Sequence, residues 1–243
     1  MTEPGVLSQI RVVLARPSHP GNIGAAARAM KTMGLTRLYL VSPREFPHPE
    51  ATTRASGAAD VLENAVVCES IAEALTGTVQ ALALTSRHRE LCAPPRWLPE
   101  AASELLQLAA SADVAVVFGN ETFGLSNEEV AQCQRTVTIP ANEEYPSLNL
   151  GSAVQVIAWE LRRQALEGGL PSLPQQFGEL ATHDDVERLI EHFELALVGS
   201  GFLNPKKPGR LIPRIRRLFG RAGLEREEVA ILRGALASLQ EKS

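Results

Sequence analysis

Short apolar, often β-branched runs alternate with segments of helical periodicity from Ile10 to Leu166, and that alternation restricts the fold more than any other feature of the chain. Ile10 to Ala15 (IRVVLA) stops at Pro17, and Leu38 to Val41 (LYLV) is closed by Ser42-Pro43. Runs of this kind suit buried strands. Between them Ile23, Ala26, Ala27 and Met30 recur at helical spacing and Gly34 supplies a stop, completing a β-α-β unit and predicting a parallel sheet. The pattern continues with a weak strand at Ala65 to Val67, a helix at Ile71 to Leu75, a strand at Ala81 to Leu84 and a helix at Leu98 to Leu108. Val114 to Phe118 (VAVVF) is the clearest strand. A glycine-rich turn follows it, then Ser126-x-x-Glu129, which reads as a capping box. Thr136 to Ile139 and a long helix from Leu150 to Leu166 complete the unit.

Gly168 to Gly178 (GGLPSLPQQFG) has turn formers and no periodicity, which marks a linker. Beyond it only helical patterns occur, near Asp184 to Val198, Pro213 to Ala222 and Glu225 to Leu239. The expected organisation is an α/β unit over residues 1–167, a linker over 168–181 and an all-helical extension over 182–243. No apolar run approaches the roughly 18 to 20 residues needed to span a bilayer. Met1 to Gln9 lacks the layout of a secretory signal, so a cytoplasmic setting without membrane contact is expected. Cys68, Cys92 and Cys133 are far apart, with no CxxC and no histidine at zinc-ligand spacing; they read as core thiols, and no metal is expected. His19, His48, His183 and His192 form no metal cluster, and Trp97 and Trp159 read as packing residues. The net charge of -4 leaves any nucleic-acid contact to local charge distribution.

Three loops concentrate small and polar residues where open α/β sheets bind ligands. They are Ser18 to Arg28 (SHPGNIGAAAR), Gly119 to Glu129 (GNETFGLSNEE) and Ala141 to Gly151 (ANEEYPSLNLG). Each by itself reads as a turn with a helix cap. The first offers glycines and a helix start suited to a phosphate, but its spacing is not that of a dinucleotide fingerprint.

Together, NxGxxxR in the first loop, GxExxGL in the second and SLNLxxAVQV in the third resemble the three motifs of the SPOUT RNA methyltransferases, across Ile10 to Arg163. The first-loop text SHPGNIGAAARAMKTMGL and the tail text RRLFGR and ILRGALAS are similar to bacterial members of that class that methylate tRNA, which extends the resemblance to nearly the whole chain. The resemblance implies a trefoil-knotted parallel sheet flanked by helices, with a small helical C-terminal extension. It implies a homodimer whose active sites are completed across the interface, S-adenosylmethionine as methyl donor, and ribose 2′-O-methylation of cytidine or uridine 32 in the tRNA anticodon loop. Carried onto this sequence, it implies catalytic roles for Arg28, Asn22, Glu121, Ser147 and Asn149. It implies cofactor contacts from Thr85, Ser86, Arg87, Gly119, Ile139, Pro146, Ser147 and Leu148. The chain departs from the pattern at Asn120, where relatives often carry Arg, and at TSRHRE (85–90) in place of TSARSR, where Arg87 and Arg89 are expected to supply RNA contacts from shifted positions.

A ribose hydroxyl is a weak nucleophile at neutral pH, so attack on a methyl carbon needs alignment and stabilisation of developing oxyanion charge. Arg28 is expected to supply that stabilisation, with Asn22 helping to position it and Glu121 orienting either Arg28 or a ribose hydroxyl. A guanidinium stays protonated in proteins, which favours electrostatic activation over proton acceptance. In the tail, Lys206, Lys207, Arg210, Arg214, Arg216, Arg217 and Arg221 occur without an acid between Ser200 and Ala222. On a helix from Pro213, Arg214, Arg217 and Arg221 share one stripe, while Ile215, Leu218, Phe219 and Ala222 share a packing stripe. Arg210 and the arginine stripe are therefore candidates for tRNA contact, as are Arg28 and Arg89. Two other functions compete: 2′-O-methylation of ribosomal RNA, and RNA binding by a non-catalytic knotted protein.

Overall fold

The computed structural model describes residues 5–85, 95–142, 144–166 and 178–240. Ser86, Arg87, Arg89, Cys92 and most of the linker lie outside the described residues. The strands are β1 (Ile10–Ala15), β2 (Arg37–Val41), β3 (Val66–Cys68), β4 (Gln80–Leu84), β5 (Arg96–Trp97), β6 (Val114–Phe118) and β7 (Arg135–Thr138). They form one sheet in the order β3-β2-β1-β6-β4-β7-β5, and all of its pairings are parallel. The helices are α1 (Pro20–Thr32), α2 (Pro49–Ala55), α3 (Ala59–Glu63), α4 (Ile71–Leu75), α5 (Leu98–Ala109), α6 (Asn127–Ala131), α7 (Leu150–Leu166), α8 (His183–Gly199), α9 (Leu211–Ala222) and α10 (Arg226–Gln240). The expected helices and strands therefore form within a residue or two of their sequence bounds. The short helices α2 and α3 and the two-residue strand β5 are additions to that pattern.

The sheet is apolar on both faces because both are covered. Val12 and Leu14 join the core under α1, α5 and α7, while Val13 and Ala15 join a second cluster with Ala115, Val117, Leu75 and Val130 under α4 and α6. This period of two explains the uninterrupted sequence runs. α1 starts with Pro20 in its first turn, where a missing N–H costs nothing, and the chain turns away at Gly34 with φ +83°. The capping box read from Ser126 and Glu129 forms at α6. A second one, Thr182 with Asp185, opens α8.

Asp113, just before β6, receives Arg11 at 2.7 Å and Arg37 at 2.6 Å, tying β1, β2 and β6 together at the sheet end opposite the three loops. The hydrogen bonds from Arg37, set against partial burial and aided by Arg11, hold the Asp113 carboxyl below its ordinary pKa. The tail has its own apolar cluster of Ala181, Leu189, Ile190, Phe219 and Val229. It meets the sheet unit where His183 N–H donates to Thr78 O at 2.8 Å and Gly77 N–H donates to Asp184 at 3.0 Å.

Both tryptophans depart from expectation. Trp97 is 54% exposed and Trp159 is 51% exposed. Trp97 sits on the short edge strand, and Trp159 lies on the outer face of α7 with the Arg163 guanidinium 5.8 Å from its ring centroid. No helix of the described residues is long and apolar enough to cross a membrane.

Candidate active site

The three loops meet at the C-terminal ends of β1, β6, β4 and β7. The second loop starts at Gly119, where a Cβ would stand 2.2 Å from the backbone of Gly124 and Leu125, so only glycine lets the loop fold back on itself. Gly124 turns the chain with φ +69° and donates its N–H to Asn120 O at 2.8 Å. The Asn120 side chain then accepts from Thr122 N–H at 2.8 Å and donates to Arg16 O at 2.7 Å. The departure from the family pattern at this position thus stitches the second loop to the end of β1. Arg16 adds a two-point contact to Glu129 at 2.9 and 2.8 Å, linking the end of β1 to the α6 capping box.

Glu121 is the hub. Its carboxylate accepts from Ser18 N–H at 2.9 Å, from Ser18 Oγ at 2.8 Å and from Asn22 Nδ2 at 2.9 Å, with a longer contact from His19 N–H at 3.4 Å. His19, the residue before α1, makes no side-chain cap; Glu121, about a hundred residues away in sequence, instead holds the backbone N–H groups of Ser18 and His19 just ahead of the helix. Burial works against charge on Glu121, but the hydrogen bonds from Ser18 and Asn22 outweigh it and hold its pKa below the ordinary value. Asn22 passes the chain of contacts on, accepting from Asn149 Nδ2 at 3.0 Å. Asn149 in turn accepts from Gly151 N–H at 3.0 Å and so begins α7. Gly151 lies against Ala25 of α1, where a Cβ would come within 2.7 Å. One continuous network therefore joins all three loops.

Beside this network is a cavity whose walls include Leu84, Phe118, Leu125, Leu150 and Ala153 on the apolar side. Thr85, Gly119, Ile139, Pro146, Ser147 and Leu148, all expected cofactor contacts, also line it. A slot with one apolar wall and an opposite edge of loop backbone, hydroxyls and the Glu121 carboxylate fits a flat heteroaromatic base joined to a polar ribose. Glu121 reaches the cavity wall as well as the network. Arg28 does not. It is exposed on α1, outside the cavity lining, and makes no hydrogen bond or ion pair among the described residues. Within one chain, Glu121 and Asn22 hold each other and Ser18 and Asn149, and neither contacts Arg28.

The tail arginines divide. Arg210, Arg214 and Arg221 are exposed and Arg217 is half-buried, with Arg217 and Arg221 lining a cleft between α9 and the α6–β7 surface. Arg135 crosses that junction by donating to Gly220 O at 2.9 Å. Arg216 is engaged by Glu187 of α8. The expected stripes need correction, because Phe219 and Ile215 pack in the tail cluster while Leu218 is 52% exposed and Ala222 is exposed. The helix is rotated so that its Arg217 side meets the sheet unit. The joining roles of Ser18, Arg16 and Asn120 carry no sequence signal, since their partners lie about 100 positions away and no local pattern marks them.

The chain is similar to known proteins along nearly its whole length. Residues 9–159 match the model of the SpoU rRNA Methylase family, and the chain belongs to that family. Residues 184–243 match the model for the C-terminal domain of tRNA methyltransferase TrmJ. A Pseudomonas aeruginosa relative named tRNA (cytidine/uridine/adenosine-2′-O-)-methyltransferase TrmJ is 46% identical over 97% of this chain and 95% of its own length. A Klebsiella pneumoniae relative named tRNA (cytidine/uridine-2′-O-)-methyltransferase TrmJ is 42% identical over 98% of this chain and 99% of its own. The crystal structure of TrmJ from Z. mobilis ZM4 superposes with a TM-score of 0.84 at 33% identity, covering 95% of this chain and 98% of that one.

Proposed function

We propose that this protein methylates the ribose 2′-oxygen of tRNA, at cytidine or uridine 32 of the anticodon loop, with S-adenosylmethionine as donor. Likeness to TrmJ proteins over nearly the full length, including the separate tail model, carries the choice of tRNA over ribosomal RNA. The cavity beside the Glu121 network supports the donor assignment, with Thr85, Gly119, Ile139, Pro146, Ser147 and Leu148 around the adenosine part and Ser86 and Arg87 following Thr85 in the chain. When bound, S-adenosylmethionine supplies a methyl carbon made electrophilic by its sulfonium.

The protein's own part is alignment and charge. Glu121, Asn22 and Asn149 keep the loops at fixed separation, so that the nucleophilic oxygen and the methyl carbon meet in line. Ser147 on the cavity wall and Asn149 in the adjoining network contact the RNA backbone or the donor. Arg28 stabilises negative charge on the 2′-oxygen as its proton departs to water. An Arg28 outside its own cavity supports a site shared between two copies, each giving Arg28 to the other's cavity. Residues 1–167 form the catalytic unit, 168–181 the linker and 182–243 the tRNA-binding unit, and the setting is the cytoplasm.

The deciding experiment supplies labelled S-adenosylmethionine and total RNA and maps ribose methylation. Label at nucleotide 32 of tRNA is the expected result. Label in ribosomal RNA, at another tRNA position, or binding of donor without transfer overturns the corresponding part of the reading.

A further inference from the structure

We propose that Arg54 is a second substrate-gripping arginine, which together with Arg28 holds the phosphodiester next to the ribose being methylated. The inference rests on the methyltransferase reading and adds to it a residue outside the three motif loops.

On α1, Gly21, Gly24, Arg28 and Lys31 are spaced three, four and three residues apart and so form one stripe. Both ends of that stripe have defined neighbours. At Gly24 a Cβ would lie 2.1 Å from Ala51 O and 2.8 Å from Arg54 Cβ, so α2 rests directly on the helix backbone there. At Gly21 the nearest groups are Glu50 Oε1 at 2.7 Å and Arg54 Cγ at 3.7 Å. At the other end, Lys31 Nζ reaches Gly57 O at 2.9 Å and Asp60 at 2.7 Å. Arg28 lies between these contacts, one turn beyond Gly24. Side chains on a helix lean toward its N-terminus, which brings the Arg28 stem back over the turn that Arg54 covers.

The charges on this face do not cancel. Asp60 is taken by Lys31, and its pKa is lowered by that hydrogen bond. Glu50 sits at the Gly21 end and forms no ion pair with either arginine. Arg28 and Arg54 are both exposed, and neither has a hydrogen bond or ion pair among the described residues. Two unpaired guanidiniums on one rigid surface favour an anion with two free oxygens. In RNA, the carbon next to the one bearing the 2′-oxygen carries the 3′-phosphodiester, so an arginine acting at that oxygen has this phosphate within reach of its neighbour. Gly24 lets the α2 backbone approach this closely, and that approach is what sets Arg54 beside the α1 stripe.

The test compares wild type, Arg54→Gln and Arg54→Lys on tRNA, and on tRNA with one uncharged methylphosphonate 3′ to the methylated nucleotide. Arg54→Gln is expected to raise KM for tRNA about tenfold with kcat nearly unchanged, and to flatten the salt dependence of binding by about 0.7 log units per log unit of salt, one single-strand phosphate contact. Arg54→Lys should keep the salt slope and recover part of KM, and on the uncharged linkage wild type and Arg54→Gln should become equal. An Arg54→Gln enzyme with wild-type KM and salt slope overturns the inference, as does an equal loss on both RNAs. Wild type failing to methylate tRNA at all would instead sink the methyltransferase reading beneath it.

Discussion

The sheet unit and the helical tail solve different problems, and their packing shows it. At the sheet ends, glycine backbones touch their neighbours at Gly119 and Gly24, and a charged hub joins loops that are about 100 residues apart in sequence. The tail has a small apolar cluster, and Leu195, Phe202, Leu218, Ile231 and Leu239 remain exposed on it. Its glycine Gly234 has open space around it. A site that must align two reacting atoms tolerates little movement, whereas a surface that meets RNA phosphates can be looser. The close backbone contacts and the Glu121 network thus lie beside the cavity, although Phe123 and Tyr145 of the same loops are exposed.

The largest effect that could break this contrast comes from glycine. Gly119→Ala is expected to cost about 3 kcal/mol in chemical denaturation and to abolish donor binding in calorimetry, because the new methyl would collide with backbone. Glu121→Gln comes next. Removing a carboxylate that accepts several hydrogen bonds should cost about 2 kcal/mol and slow methyl transfer while leaving tail packing unchanged by near-ultraviolet circular dichroism. Its pH signature is specific. A carboxyl with a lowered folded pKa stabilises fully above its unfolded value of about 4.3 and loses that contribution as pH falls through the folded value. Wild type should thus lose its advantage over Glu121→Gln on acidification below about pH 4.3, and an advantage that stays constant to about pH 2 would contradict the hub.

Smaller effects sharpen the tail side of the contrast. Replacing Arg210, Arg214 and Arg221 with Gln should weaken tRNA binding and flatten its salt slope by roughly 0.7 to 0.9 for each phosphate no longer neutralised, with donor binding unaffected. An unchanged slope would remove this surface from the RNA interface. Gly234→Ala should raise thermal stability by up to about 1 kcal/mol, the reverse of Gly119→Ala, because it improves helix propensity in open space.

Much of the sheet was legible because Ile10 to Ala15 and Val114 to Phe118 are buried on both faces and leave continuous apolar text. α2 and α3 were not, because Pro47, Pro49 and Ser56-Gly57 break up that stretch, whereas the equally short α4 was marked by Ile71, Ala74 and Leu75 at helical spacing. The site loops were legible through their motif residues, but the bond from Ser18 to Glu121 was hidden by sequence distance. Asn120 reads in the sequence as a missing RNA-binding arginine and is in the fold a loop fastener. The tail stripe was legible only in part, because periodicity separates Arg from Phe219 yet cannot say which side of α9 faces the sheet unit.

The central claim is that Arg28 serves a cavity other than its own, and mixed dimers test it most directly. Arg28→Ala leaves the cavity intact, and Ser147→Trp fills the cavity while keeping Arg28. Each variant by itself should be nearly inactive. After subunit exchange in equal amounts, about half the dimers carry one complete shared site, so activity should return to about a quarter of wild type. If exchange is verified and no activity returns, or if the active enzyme is a monomer, Arg28 does not act across an interface and the account is wrong.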